Sequence, residues 1–499
     1  MKHFLYIAFI LAAATSCSME GYNYLPVYRD YDSYTDAARE TPGIYDGDKF
    51  DKITENEFVK VADQPVSTFS IDADGAAYAY MRRCIGNGIL PSPNSVRTEE
   101  FLNYFTFDYP EPATGENLGI NYEIGVCPWN TEHFLLRLGI KGRSIPESEI
   151  PTANFILLID TSGSMSGDDR IELLKSGLCN MIDHMRPTDR IAVITYSGEV
   201  KMLLESTLVK DAAAIKQAIS KLEASGSTAG GEAMKMAYEE AVEHYIKGGN
   251  NRIIMCTDGD FNVGVSSTEA LVEMVESYLN KGIYLSIMGF GTGNLQDSKM
   301  ENLSNHGNGT YNYIDCEDEM MKVFVHERSR FYSVANDVKC QVKFFDWVDS
   351  YRLIGYENRV MNNEDFENDK KDAGEIGAGQ TITALYELVP SGSLTDNATA
   401  ASFDVRYKMN LGEESRSLHL DVGKYYQGVT KTGAEFDFAA GIAAYAMILR
   451  NSKFKGTASY SMVTDLIGSG SNTDAGVDPL KLRKRCLELV ETASAIKNN

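Results

Sequence analysis

Phe155-Ile156-Leu157-Leu158-Ile159-Asp160-Thr161-Ser162-Gly163-Ser164-Met165 decides the fold. Five apolar residues run without a break and end in an aspartate, two serines and a glycine. A strand that is apolar on both faces belongs in a parallel sheet with helices over each side. The same pattern recurs at 191–194, 253–255 and 284–288, with amphipathic helical stretches over 170–185, 212–222, 231–246 and 268–280. Residues 154 to about 331 thus alternate strand and helix, the signature of a doubly wound, mostly parallel α/β sheet.

In such a sheet, ligands bind outside the carboxyl ends of the strands. The first strand ends in Asp160-x-Ser162-x-Ser164, and a later one ends in Thr257-Asp258-Gly259. Between them, Ser225-Gly226-Ser227-Thr228-Ala229-Gly230-Gly231 opens a helix. Folding would gather two carboxylates and three hydroxyls, with no imidazole or thiolate. Hard oxygen donors select Mg2+, with Mn2+ or Ca2+ as alternatives, over Zn2+ or Cu2+. Ser162, Ser164 and Thr228 supply neutral oxygens; Asp160 and Asp258 ligate directly or hold ordered water. An ion held mainly by neutral oxygens keeps much of its charge, so an open position attracts an Asp or Glu carboxylate of a partner protein. Asp, Ser and Gly are also common turn residues. Three such loops in this order, two directly after apolar strands, argue against turn chemistry alone.

Asp160, Ser162, Ser164, Thr228 and Asp258 resemble the metal-ion-dependent adhesion site of von Willebrand factor type A domains. That resemblance implies metal contact by the two serines and the threonine, and aspartates acting directly or through water. It also implies a protein-binding module without intrinsic catalysis. The flanks are similar to a bacterial subgroup of these proteins. Thr68-Phe69-Ser70-Ile71-Asp72, Arg97-Thr98-Glu99-Glu100 and Asn103-Tyr104-Phe105 resemble its N-terminal companion region. Leu353-Ile354-Gly355-Tyr356-Glu357-Asn358-Arg359 and the segment 372–377 resemble its C-terminal domain of unknown function.

Working outward, residues 65–150 read as an α+β region: a strand at 68–71, helices at 76–85 and 99–105 (the second capped by Ser95), and strands at 120–126 and 134–140. Residues 334–499 read as a β-rich α+β domain, with period-two runs at 338–348, 381–388, 403–409 and 418–422 and helices at 436–449 and 480–496. The expected division is therefore a signal peptide (1–16), a polar tether (17–64), an N-terminal region (65–150), the doubly wound domain (151–333) and the C-terminal domain (334–499).

Lys2 and His3 precede an apolar run from 4 to 14, too short to span a bilayer and shaped like a secretory signal. Ala14-Thr15-Ser16-Cys17 resembles a bacterial lipobox, with Ala14 where leucine is usual. Cys17 would then carry the lipid and anchor the protein to a membrane of the bacterial cell envelope. The other seven cysteines show no C-x-x-C spacing and several lie in apolar runs, so neither a zinc ribbon nor a disulfide framework is expected. Forty-seven Lys+Arg against 71 Asp+Glu give a formal charge of −24, the wrong sign for a nucleic-acid partner.

Two other readings come from different classes. A Mg2+-dependent phosphoester hydrolase would need a general base, for which Glu232 is the candidate. A scaffold whose site is never metallated would need none of this chemistry. Asp72-Ala73-Asp74-Gly75 lacks the Gly and Glu of a calcium loop and reads as a strand-to-helix turn with an Asp cap. Gly289-Phe290-Gly291-Thr292-Gly293-Asn294 lacks the last glycine of a dinucleotide fingerprint and reads as a turn beside the metal site. The acidic run 364–369 is a solvated loop, or a carboxylate source for the metal in cis or in a neighbouring molecule.

Overall fold

The computed structural model describes residues 48–71, 74–226, 230–259, 268–293, 295–371, 373–391, 399–410, 412–423, 432–473 and 476–498. Its doubly wound part consists of β1 (Ala153–Asp160), α1 (Ile171–His184), β2 (Arg190–Tyr196), β3 (Val200–Leu208), α2 (Ala212–Ser220), α3 (Gly230–Glu243), β4 (Asn250–Thr257), α4 (Thr268–Leu279), β5 (Ile283–Phe290), α5 (Asp297–His306) and β6 (Tyr311–Ile314). The sheet order is β6-β5-β4-β1-β2-β3. Every neighbouring pair is parallel except β2 with β3. The chain winds outward from β1 in both directions, which puts the topological switch point at the carboxyl ends of β1 and β4.

Successive side chains of a strand point to opposite faces, and both faces here are covered. Ile156, Leu158, Ile194, Ile253 and Ile287 pack beneath Ala233, Met234 and Ala237 of α3 and Leu271 and Val275 of α4. Phe155, Leu157, Ile159, Val193 and Ile254 pack against Leu174 and Leu178 of α1 and Ile215 and Ile219 of α2. The unbroken apolar runs of the sequence follow from this double burial.

The segments on either side of this domain are folded into each other. Val66–Ser70 pairs with Ser333–Phe344, and Phe134–Gly142 pairs with Thr381–Pro390. One antiparallel sheet runs Val59–Lys60, Val348–Ile354, Thr381–Pro390, Phe134–Gly142, Leu118–Val126. The other contains Val360–Met361, Val66–Ser70, Ser333–Phe344, Ala401–Lys408 and Arg416–Val422, with Gly374–Gly377 also on Ser333–Phe344. Phe69, Leu136, Leu138, Val342, Tyr386 and Phe403 from both sheets share one core. Strands close in space but more than 200 residues apart leave no local trace, so the sequence divides where the structure joins.

Helices Ala434–Leu449, Tyr460–Gly470 and Leu482–Asn498 form a further core with Tyr78, Met81, Phe101 and Leu102. Thirteen of the sixteen residues of Ala434–Leu449 are buried, so this helix is apolar all round rather than striped. Helix Ala76–Gly86 bridges two cores: Tyr78 and Met81 face the helical one, while Ala76, Ala79 and Tyr80 face the parallel sheet. Ser95 does not cap the next helix. It lies in the turn Pro93–Ser95, and Thr98–Asn103 begins after Arg97. The cap position of Ala76–Gly86 is Gly75, with no side-chain cap bond; Asp72 lies outside the described residues, the Asp74 carboxylate accepts from the Tyr311 N–H at 3.0 Å, and the Glu100 carboxylate accepts from the Ala77 N–H at 2.7 Å. Among the described residues, no helix is long and apolar enough to cross a membrane, and the seven described cysteines are free.

Candidate metal-binding site

The β1 strand delivers Asp160 to the switch point with its carboxylate buried. One oxygen accepts from the Ser162 N–H at 2.8 Å, and the other from the Thr257 hydroxyl at 3.2 Å. The first bond reverses the chain, as short Asp side chains do in turns. The turn Gly163–Met165 follows, pinned by the buried Met165. It brings the Ser162 and Ser164 hydroxyls to 3.0 Å from each other. Ser162 is buried and Ser164 is exposed, so the pair leads from the interior to the surface.

The other segments converge by register. Parallel pairing sets Ile159 against Cys256, so the next pair is Asp160 with Thr257 and the buried Asp258 follows directly. Before α3, the Ser225 N–H donates to the Thr161 carbonyl at 2.7 Å, and the Gly163 N–H donates to the Gly226 carbonyl at 3.1 Å. Gly226 has φ +88°, a left-handed conformation that suits glycine. Thr228 lies outside the described residues. Cys17 also lies outside them.

Burial pushes the Asp160 carboxyl up to about 6; the Asp258 charge acts in the same sense, while the hydrogen bond from Ser162 opposes it. Among the described residues, no Lys or Arg forms an ion pair with Asp160. A buried carboxylate without a cation, beside a second carboxylate and two converging hydroxyls, is a donor set that fits a hard divalent ion.

The rim of the site is held from outside the sheet. Arg83 of helix Ala76–Gly86 pairs with Asp169 in the loop after β1. The neighbouring Arg170 donates to the Thr292 carbonyl at 2.7 Å. A Cβ on Gly291, at φ +68°, would fall 2.0 Å from the Arg170 Nε, so this turn requires glycine. The Asp48 carboxylate accepts from the N–H groups of Gly293 (2.7 Å) and Leu295 (3.0 Å) and from the Tyr80 hydroxyl (3.0 Å). Asp48, Arg83, Arg170 and Thr257 were not singled out from sequence. Only Thr257 had a local signal, its place in Thr257-Asp258-Gly259.

Glu232 is exposed in the first turn of α3. The histidines engage elsewhere: His133 with Glu387, His306 with Glu276, His419 with Asp404 and His244 with Glu240. Glu240, Glu243 and His244 cluster at the far end of α3, where the Glu240 carboxylate already accepts from the Ser206 N–H at 2.9 Å. In the acidic run, Arg406 binds Glu367 at 2.9 Å and Asp369 at 3.0 Å, tying both to the strand Ala401–Lys408.

Three family models match the chain: von Willebrand factor over residues 44–137, von Willebrand factor type A domain over 155–260, and the C-terminal region of the uncharacterized protein YfbK over 329–496. The chain is 36% identical to the uncharacterized protein YfbK of Escherichia coli (strain K12) over 474 residues, which is 90% of this chain and 81% of that protein. The chain belongs to the YfbK family. Within this YfbK-family chain, the doubly wound domain is a von Willebrand factor type A domain. It is also similar to human inter-alpha-trypsin inhibitor heavy chain H3, 30% identical over 177 residues that cover 34% of this chain and 20% of that one. A solved von Willebrand factor type A structure from Catenulispora acidiphila aligns over 75% of this chain and 91% of its own, with 14% identity and a TM-score of 0.41.

Proposed function

We propose that this YfbK-family protein is a lipid-anchored binding module of the bacterial cell envelope, held by Cys17. Its von Willebrand factor type A domain binds Mg2+ and through it an acidic group of a protein partner. The supporting observation is the oxygen donor set at the switch point, centred on a buried Asp160 that pairs with no Lys or Arg among the described residues. Ser162, Ser164 and Thr228 would hold the ion with Asp160 and Asp258, and Mn2+ or Ca2+ could take its place. Bound there, the metal supplies a hard positive centre for a partner carboxylate. Asp160 orients Ser162 through its backbone, and Thr257 orients Asp160.

Partner capture from detergent-extracted envelopes, with Mg2+ or with EDTA, tests this. Wild type is expected to retain a partner only with Mg2+, and Asp160→Ala and Thr228→Ala to lose it with unchanged circular dichroism. Capture that survives EDTA and both substitutions contradicts the proposal. Mg2+-dependent phosphoester turnover that is lost in Glu232→Gln would replace it with the hydrolase reading.

A further inference from the structure

Where the strand Phe134–Gly142, the segment 322–330 and the start of the helix Leu482–Asn498 meet, there is a cavity of about 200 Å3. None of its lining residues belongs to the metal-site loops. Lys141, Lys322, Arg330 and Arg483 line it, against the carboxylates of Glu327 and Asp478. Four cations thus line one concave site of a chain whose net charge is −24.

Both lining carboxylates are committed. Asp478 accepts from the N–H groups of Leu482 (2.7 Å) and Arg483 (3.0 Å). Glu327 is shared between Lys322 at 3.0 Å and Arg330 at 2.8 Å. Behind the wall, Glu435 holds Arg483 at 2.7 Å and Glu319 lies 3.8 Å from Lys322. Lys141 is the least compensated. Its ammonium donates to the Gly379 carbonyl at 3.0 Å and reaches Glu111 only at 3.7 Å. Glu111 is half exposed and already accepts from the Ser144 N–H and hydroxyl at 3.1 and 2.6 Å. Burial lowers the Lys141 pKa, with Glu111 opposing, as expected of an ammonium short of a counter-charge.

We propose that this cavity is a binding site for a phosphoryl oxyanion, either free phosphate or the phosphomonoester end of a small metabolite or lipid headgroup. A phosphomonoester carries about −1.5 to −2 charge at neutral pH and would supply the close counter-charge that Lys141 lacks. Lysine binds phosphate as a point charge, and Lys141 offers that charge, whereas the Arg330 fork is already engaged by Glu327 at 2.8 Å and by the Thr106 hydroxyl at 2.7 Å. The volume lies below the roughly 300–1,000 Å3 of drug-sized sites and suits a ligand of a few heavy atoms beyond the phosphate.

The test is calorimetric titration of the full chain with inorganic phosphate, in EDTA and at ionic strength fixed with NaCl. Chelation keeps phosphate from binding through a metal, and fixed salt removes general screening. Saturable one-site binding is expected, weakened about tenfold or more in Lys141→Met and largely kept in Lys141→Arg. Glu327→Gln frees Lys322 and Arg330 and is expected to tighten binding, a change opposite to that of structural damage. Glycerol 3-phosphate and vesicles containing phosphatidic acid distinguish a soluble ligand from a headgroup, and binding of either supports the site. No saturable phosphate binding by wild type overturns the proposal, as does unchanged affinity in Lys141→Met or weakened affinity in Glu327→Gln.

Discussion

Asp160 shows how one residue serves both fold and site. Its two oxygens receive the Ser162 N–H and the Thr257 hydroxyl, so removing the side chain orphans two donors. Each costs about 1–3 kcal/mol when left buried and unpaired. Asp160→Ala is therefore expected to lower stability by a few kcal/mol in urea unfolding, while far-ultraviolet circular dichroism stays native. Ser162→Ala and Ser164→Ala remove only hydroxyls, so each is expected to weaken metal affinity with little loss of stability. Equal metal affinity in both serine variants and wild type would show that the 3.0 Å hydroxyl pair is turn chemistry. The positions of Asp160 and the serines were legible because they follow an apolar strand with fixed local spacing. The supports of the rim were not: Asp48 and Arg83 act on loops remote in sequence, and a lone Asp or Arg carries no periodic signal.

Elements with an unbroken pattern were readable; those set by partners were not. The four apolar runs became β1, β2, β4 and β5 because helices cover both their faces. β3 was missed because, as an antiparallel edge strand, it mixes Lys201, Glu205 and Ser206 with Met202 and Leu204 and has no clean period. The 338–348 run proved to be parts of two strands, Ser333–Phe344 and Val348–Ile354. The helix Thr98–Asn103 is anchored by Arg97, which pairs with Glu100 and, at 2.6 Å, with Asp297 of α5. Breaking a buried pair leaves uncompensated charge, at about 3–5 kcal/mol. Arg97→Met is expected to reduce stability by that order in urea unfolding; a loss under about 1 kcal/mol would mean that water replaces the guanidinium. Glu319 gives a pH dependence. Burial alone would raise its carboxyl, but Lys322 and Arg82, with the Tyr104 hydroxyl, more than offset this and hold it below its ordinary value. Its contribution is thus complete above the ordinary carboxylate pKa of about 4.3 and is lost as pH falls through the lowered folded value. The stability gap between wild type and Glu319→Gln, measured by urea midpoints, is expected to shrink on going from pH 7 to strongly acidic pH. A constant gap would contradict this linkage.

At the scale of the molecule, the doubly wound domain is an insertion between two segments that complete each other. Local patterns revealed strands on both sides but could not show which strands pair. Residues 334–499 alone lack Val66–Ser70 and Phe134–Gly142, so Ser333–Phe344 and Thr381–Pro390 each lose one of their neighbours and expose an edge. Open edges of this kind favour aggregation. Expressed alone, 334–499 is expected to be insoluble, and co-expression with 48–150 to restore a soluble complex; a cooperatively folded 334–499 would contradict this mutual dependence. The central claim is that the same folding gathers Asp160, Ser162, Ser164, Thr228 and Asp258 around one hard divalent ion. Its most direct test is titration of the full chain with Mn2+, followed by electron paramagnetic resonance. One competitively Mg2+-displaced Mn2+ per chain is expected for wild type, and none for Asp160→Ala or Thr228→Ala. Absence of saturable Mn2+ binding in wild type, or undiminished binding in both variants, would contradict the account.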